Sequence, residues 1–224
     1  MVVIDVLNNP EGRELLQTKY GLRRVPVLAK GDQYVIGQMI EPFAKFAGID
    51  LTAHKQLTPE QLFEKYRVIF ATAQRFCRQF SPEQLEEKVI PNRPRIIRTL
   101  CFHVFRIGEA FLEAWEGAEY SQGIADGEPM SSLQTGDTIA RYGAGVWDRY
   151  DAWWRDLEDR QLTRVLKTYY GDTNAHRVFE RCTWHSAQHC RQLASVLQRM
   201  GIEPDRPLTT EDLAGLPVPE RLWE

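Results

Sequence analysis

The chain has 224 residues, 43% of them apolar and 26% charged, with a formal net charge of −3 and a pI of about 6.0. That is enough chain for one large globular domain, or one domain plus a small one. It offers no electrostatic case for binding nucleic acid or an anionic membrane. Basic residues cluster locally, as in Arg93-Pro94-Arg95 and Arg98, but acidic residues offset them. The four cysteines, Cys77, Cys101, Cys182 and Cys190, form no CxxC pair. They are not a disulfide framework and fit a reducing compartment. The N-terminus meets charge at Asp5 without a basic region and apolar core, so no signal peptide is expected. No window reaches the length of uninterrupted apolar sequence that a membrane span needs. The expected location is cytoplasmic.

Residues 1–48 differ in pattern from the rest. Val2 to Val6 is a β-branched run that predicts a strand. Asn8-Asn9-Pro10 marks a turn and helix start, and Glu11 to Tyr20 a short helix closed by Gly21. Arg24 to Ala29 and Gln33 to Ile36, joined by Lys30-Gly31-Asp32, predict a hairpin. Glu41 to Ala47 is a last short helix ended by Gly48. The predicted order is strand, helix, strand, strand, helix.

That order, with the stretch RRVPVLAKGDQYVIGQ, resembles the second half of a glutaredoxin, a thioredoxin-like fold. The resemblance implies a cis proline at Pro26 and a Val25-Pro26 platform of the kind that meets a thiol. The first strand and helix of that family, with its redox CxxC, are absent, so thiol–disulfide exchange is not expected here. A segment this short buries too little core to stand alone. It is expected to dock on the rest of the chain or on a second subunit.

Ile49 to Leu57 is a predicted linker. Thr58-Pro59-Glu60-Gln61 opens an amphipathic helix of about 20 residues, with Thr58 as N-cap and Gln61 at the capping-box position. Ser81-Pro82-Glu83-Gln84 repeats the signal over a shorter segment. Asn92-Arg93-Pro94 is the predicted start of the next long helix, whose apolar stripe carries Leu100, His103 and Ile107. Gly117 to Gly136 has the composition of a loop, long enough to suspect a role over a site. Thr135 to Leu157 is a third long helix, whose Trp and Tyr at helical spacing are expected in the core. Leu162 to Gly171 is a β-branched and aromatic patch. Thr173 to Met200 is the fourth long helix, stopped by Gly201. Residues 202–224, with Pro204, Pro207, Pro217 and Pro219, are expected to form a strap with a helical turn near Thr210. Four long amphipathic helices with mixed connections argue a mainly α fold, a helical bundle.

His185 and His189 are four apart on one helix, so both rings share a face. An HxxxH alone is also met as packing. His103 strengthens the metal alternative, because an imidazole on an apolar stripe is costly to bury without a partner. Three neutral imidazoles from facing helices suit a divalent metal with open positions. Zinc is the first expectation, and nickel and iron suit the same donors. His54 and His176 match no ligand position and are expected to be ordinary polar histidines.

RCTWHSAQHCRQLASVLQRMGI, together with IRTLCFHVFRIGEAFLEAW, resembles the DinB/YfiT-like superfamily of metal-binding four-helix bundles over residues 55–201. The resemblance implies one histidine ligand from the second helix and two from an HxxxH near the end, here His103, His185 and His189. It also implies metal-dependent transfer of a low-molecular-weight thiol to a small electrophile. A non-catalytic metal- or ligand-binding protein associated with stress, and a metal-dependent hydrolase, remain as alternatives; no general base is evident from sequence. Arg106, one turn from His103, is a candidate for a substrate carboxylate or, alternatively, a salt-bridged arginine. Cys182, one turn before His185, is a candidate to approach the metal or, alternatively, a structural cysteine. A small-molecule substrate and a homodimer are the expected partners.

Overall fold

The computed structural model describes all residues except 1, 7, 23–24, 38–39, 51–55, 90–93, 122, 124–126, 220–221 and 223–224. His54, most of the predicted linker, Arg24 of the predicted hairpin and the predicted helix start at Asn92-Arg93 lie outside the described residues. The chain divides into two compact units, Met1–Lys55 and Gln56–Glu224.

In the first unit, α1 (Pro10–Tyr20) starts under Asn9, whose Oδ1 accepts the Gly12 N–H, and ends at Gly21, which takes the left-handed conformation. Strands β1 (Val27–Lys30) and β2 (Gln33–Ile36) form an antiparallel hairpin pairing Lys30 with Gln33 across the turn. Helix α2 (Ile40–Ala47) follows. The predicted strand Val2–Val6 does not form. The hairpin sheet is two-stranded, and Val2 and Val3 are 87% and 83% exposed. β-branched residues favour a pleated, half-buried surface rather than strand geometry as such, and here they have no such surface. The β-α-β-β-α expectation is thereby corrected to α-β-β-α among the described residues.

The second unit is mainly helical. Four long helices build it: α3 (Pro59–Gln79), α5 (Ile97–Trp115), α6 (Gly136–Asp156) and α7 (Ala175–Arg199), with short α4 (Pro82–Leu85) and α8 (Thr210–Leu213). The predicted capping boxes are present at Thr58/Gln61 and Ser81/Gln84. Thr135 caps α6 through a box with Thr138. Helix α3 packs on α6 and α7, and α5 packs on the same two, so α5 and α7 are neighbours. Gly136 permits the close passage of α6 by α3, since a Cβ there would lie 1.9 Å from the Cys77 carbonyl oxygen.

Two predicted boundaries move. Helix α5 starts at Ile97 because the preceding chain folds back on residues 87–89: Val89 donates to the Arg95 carbonyl and Ile97 to that of Glu87. Helix α7 starts at Ala175 because Thr173-Asn174 form strand β4, paired with β3 (Val165–Leu166). The loop after α5 is pinned by a bridge between Tyr120 and Thr168.

The core is aromatic. Tyr66, Phe70, Phe105, Phe111, Tyr150 and Phe179 are fully buried. The predicted aromatic face of α6 joins them: Trp154 stacks on Phe63 at 4.7 Å and Trp153 meets Phe111 at 5.4 Å. Burying each such side chain contributes roughly 1.5–3 kcal/mol. The C-terminal segment runs along α3. Arg75 donates to the Asp205 and Arg206 carbonyls, and Lys65 to those of Glu211 and Asp212. No described helix is long and apolar enough to cross a membrane.

Candidate metal centre

Helices α5 and α7 run antiparallel. Phe111 packs on Phe179 at 5.1 Å, and Ser186, further along α7, bonds Val104, earlier on α5. In that register His103 faces the pair His185 and His189. Ring centroids are 5.7 Å apart for His103 and His185, 4.8 Å for His103 and His189, and 4.7 Å for His185 and His189. One ring nitrogen from each lies within 4.8 Å of the others, and this buried group could hold a metal ion. Among the described residues no other group of His, Cys, Asp and Glu side chains converges in this way. His103 and His189 are buried and His185 is half-buried.

The surroundings fit a cation with imidazole ligands. Nδ1 of His189 lies 2.7 Å from Gln192 Oε1. A carbonyl oxygen only accepts, so it places the ring proton on Nδ1 and the lone pair on Nε2. Metal-ligating histidines need such an outer partner to fix tautomer and ring orientation. Nδ1 of His185 is buried and has no hydrogen-bond partner among the described residues. Burial pushes the His185 imidazole well below the ordinary histidine range, and His189, Arg181, His103 and Arg95 push the same way. A neutral ring with a free lone pair is the form that binds a metal. Trp184 stacks beside His185 at 5.6 Å.

The other candidates are placed differently. Arg106 is taken up by carboxylates. Nη1 and Nη2 fork onto Glu113 at 2.8 Å each, and Nη1 also meets Glu109 at 2.7 Å. Tyr142 and Arg149 join the same Glu109. This is the arrangement of the salt-bridged alternative. Cys182 does not join the histidine group. Its Sγ lies 3.6 Å from the Tyr120 hydroxyl, and burial pushes the thiol up to about 11. His176 Nε2 lies 2.8 Å from the Leu57 carbonyl, which ties the start of α7 to the chain before α3. In the first unit the Val25–Pro26 peptide is cis. Val25 is 49% exposed, and the Pro26 carbonyl accepts the Gly37 N–H at 2.8 Å.

Sequence reasoning missed Gln192 as the partner of His189, although a Gln one turn beyond a ligand is a readable signal. It also missed Arg181, a buried guanidinium one turn before His185 that donates to Tyr169 at 3.1 Å. No protein-family model matches the chain, and no curated protein matches it either.

Proposed function

We propose that His103, His185 and His189 hold one divalent metal ion, and that the protein is an enzyme transferring a low-molecular-weight thiol to a small electrophile. The observation that carries the metal is the convergence of three imidazoles, one ring nitrogen of each lying within 4.8 Å of the others. The buried His185 Nδ1, with no hydrogen bond among the described residues, adds to it, because such an atom is costly unless something satisfies it. Thiol chemistry is supported by the resemblance of both histidine segments to the DinB/YfiT-like bundles. Zinc is the first choice on donor chemistry, with nickel and iron next.

When bound, such an ion supplies Lewis acidity, lowering the pKa of a thiol or polarising an electrophile. The chain's own residues do the rest. Gln192 holds the His189 ring, burial keeps His185 neutral, and Trp184 stacks on its ring. In the transfer the thiol sulfur forms the new S–C bond, and the thiol proton passes through solvent to the leaving group. The leaving group departs with the electron pair of the bond that breaks. We also propose a homodimer, since among the described residues β1 and β2 pair only with each other.

The test incubates metal-loaded protein with bacillithiol, mycothiol or glutathione and a chromogenic electrophile, with and without chelator. Thiol consumption that chelator abolishes is the expected result. Metal binding without turnover would overturn the transferase in favour of a metal-binding protein. Chelator-sensitive ester cleavage without thiol would favour the hydrolase. Light scattering at the mass of one 26.0 kDa chain would overturn the dimer.

A further inference from the structure

Beside the histidines the core holds buried hydroxyls that no step above uses. Tyr66, Ser186 and Tyr150 are fully buried. Ser186 Oγ donates its proton to the Val104 carbonyl at 2.9 Å. That proton being committed, the Tyr66 O–H donates to Ser186 Oγ at 3.0 Å. A carbonyl has two lone pairs, so Val104 can accept Ser186 and still accept within its own helix. One line of hydrogen bonds therefore runs from α3 through α7 to α5. Gly108 makes the room: a Cβ there would lie 2.8 Å from the Tyr66 hydroxyl and 2.9 Å from Phe70 Cζ.

The positions of these residues matter more than their bonds. Ser186 directly follows His185, and Val104 directly follows His103. The bond thus joins the neighbours of two ligands across the seam between α5 and α7. Sliding α7 by one residue along α5 shifts it about 1.5 Å and turns it about 100°. A 2.9 Å hydrogen bond does not survive that, and the HxxxH face leaves His103. Apolar contacts such as Phe111 on Phe179 tolerate neighbouring registers far better than a buried hydroxyl does, because an unmade polar bond in the core carries its full desolvation cost.

We propose that Tyr66 and Ser186 are positioning residues for the metal centre: they set the register of α7 on α5 that brings His103 onto His185 and His189. This rests on the metal centre proposed above. The test measures zinc and cobalt(II) affinity, the cobalt(II) absorption spectrum and the melting temperature of the full chain. Three proteins are compared: wild type, the double variant Tyr66→Phe with Ser186→Ala, and Tyr150→Phe. Tyr150 donates to the Gly108 carbonyl at 2.9 Å and its ring meets that of Tyr66 at 5.4 Å, a ring contact that phenylalanine keeps, but it bonds no neighbour of a ligand. The double variant is expected to bind metal about tenfold or more weakly, in the range seen for groups that orient ligands. Its cobalt spectrum should change, and metal should raise its melting temperature less than it does for wild type. Tyr150→Phe is expected to lower the melting temperature of the metal-free protein while keeping wild-type affinity and spectrum. Should the double variant not fold, Ser186→Ala alone serves in the same assays. Wild-type binding with unchanged affinity and spectrum in the variant overturns the positioning role alone, as does equal weakening by Tyr150→Phe. No binding by wild type overturns the metal centre and the positioning role together.

Discussion

The imidazole of His103 lies 4.8 Å from that of His189, although the two belong to different helices, α5 and α7. Two helices must dock before the three ligands meet. An ion held there binds the folded chain and not the unfolded one, so metal and stability are linked.

Gln192→Ala tests how the His189 ring is held. Losing the 2.7 Å bond to Nδ1 frees the ring to rotate and to change tautomer. Zinc affinity is expected to fall about 10- to 100-fold. Far-ultraviolet circular dichroism should not change, because Gln192 is only half-buried at the surface of α7. Unchanged affinity by competition titration would remove Gln192 from the site.

Arg106→Ala separates a structural arginine from a substrate contact. The side chain is only 13% exposed and is forked onto Glu113. Removing it leaves two half-buried carboxylates short of a cation, at a cost of about 1–3 kcal/mol by denaturant titration. Glu109 keeps Arg149 and Tyr142, which holds the loss in that range. Metal affinity should match wild type. A large rise in KM at unchanged stability would favour the substrate role.

Gly136→Ala is expected to destabilise the bundle. The added Cβ would overlap the backbone carbonyl of Cys77, which has no flexible end to move aside. Helix α6 must shift from α3, and overpacking of this kind costs about 1–3 kcal/mol. A melting temperature equal to wild type would show that the two helices pass less closely.

The buried Cys182 predicts a loss of stability in alkali. Its thiol is raised to about 11, chiefly by burial. Its folded pKa therefore lies above its unfolded value of about 8.5. Such a group contributes fully below the unfolded pKa, and its contribution is lost as pH rises towards the folded one. Between pH 8.5 and 11 the loss amounts to roughly 2–3 kcal/mol. Buried Tyr66, Tyr120 and Tyr150, also raised by burial, add to it at higher pH. Burial also raises the Cys101 and Cys190 thiols, which act over the same window, so Cys182→Ala should make the stability–pH curve less steep there without levelling it. An equally steep curve in the variant would contradict the assignment.

Local signals made much of the bundle legible. Thr58 and Ser81 announce their helices because a capping box is complete within four residues, and both boxes form. His103 and the HxxxH were readable because helical periodicity places each on an inward stripe. Val2–Val6 misled, since strand propensity needs a neighbouring strand that the sequence cannot promise. The late start of α5 was hidden because the fold-back of Val89 on Arg95 is tertiary. Tyr66 and Ser186 were not legible at all. They stand 120 residues apart, and only helix register brings them together.

Metal content is the most direct measurement. Protein purified without a nickel column, at neutral pH, should carry about one equivalent of a transition metal per chain. His103→Ala should lose it, together with the rise in melting temperature that added zinc gives wild type. Less than about 0.2 equivalents in wild type even after zinc loading, or full metal content in His103→Ala, would contradict the three-histidine centre.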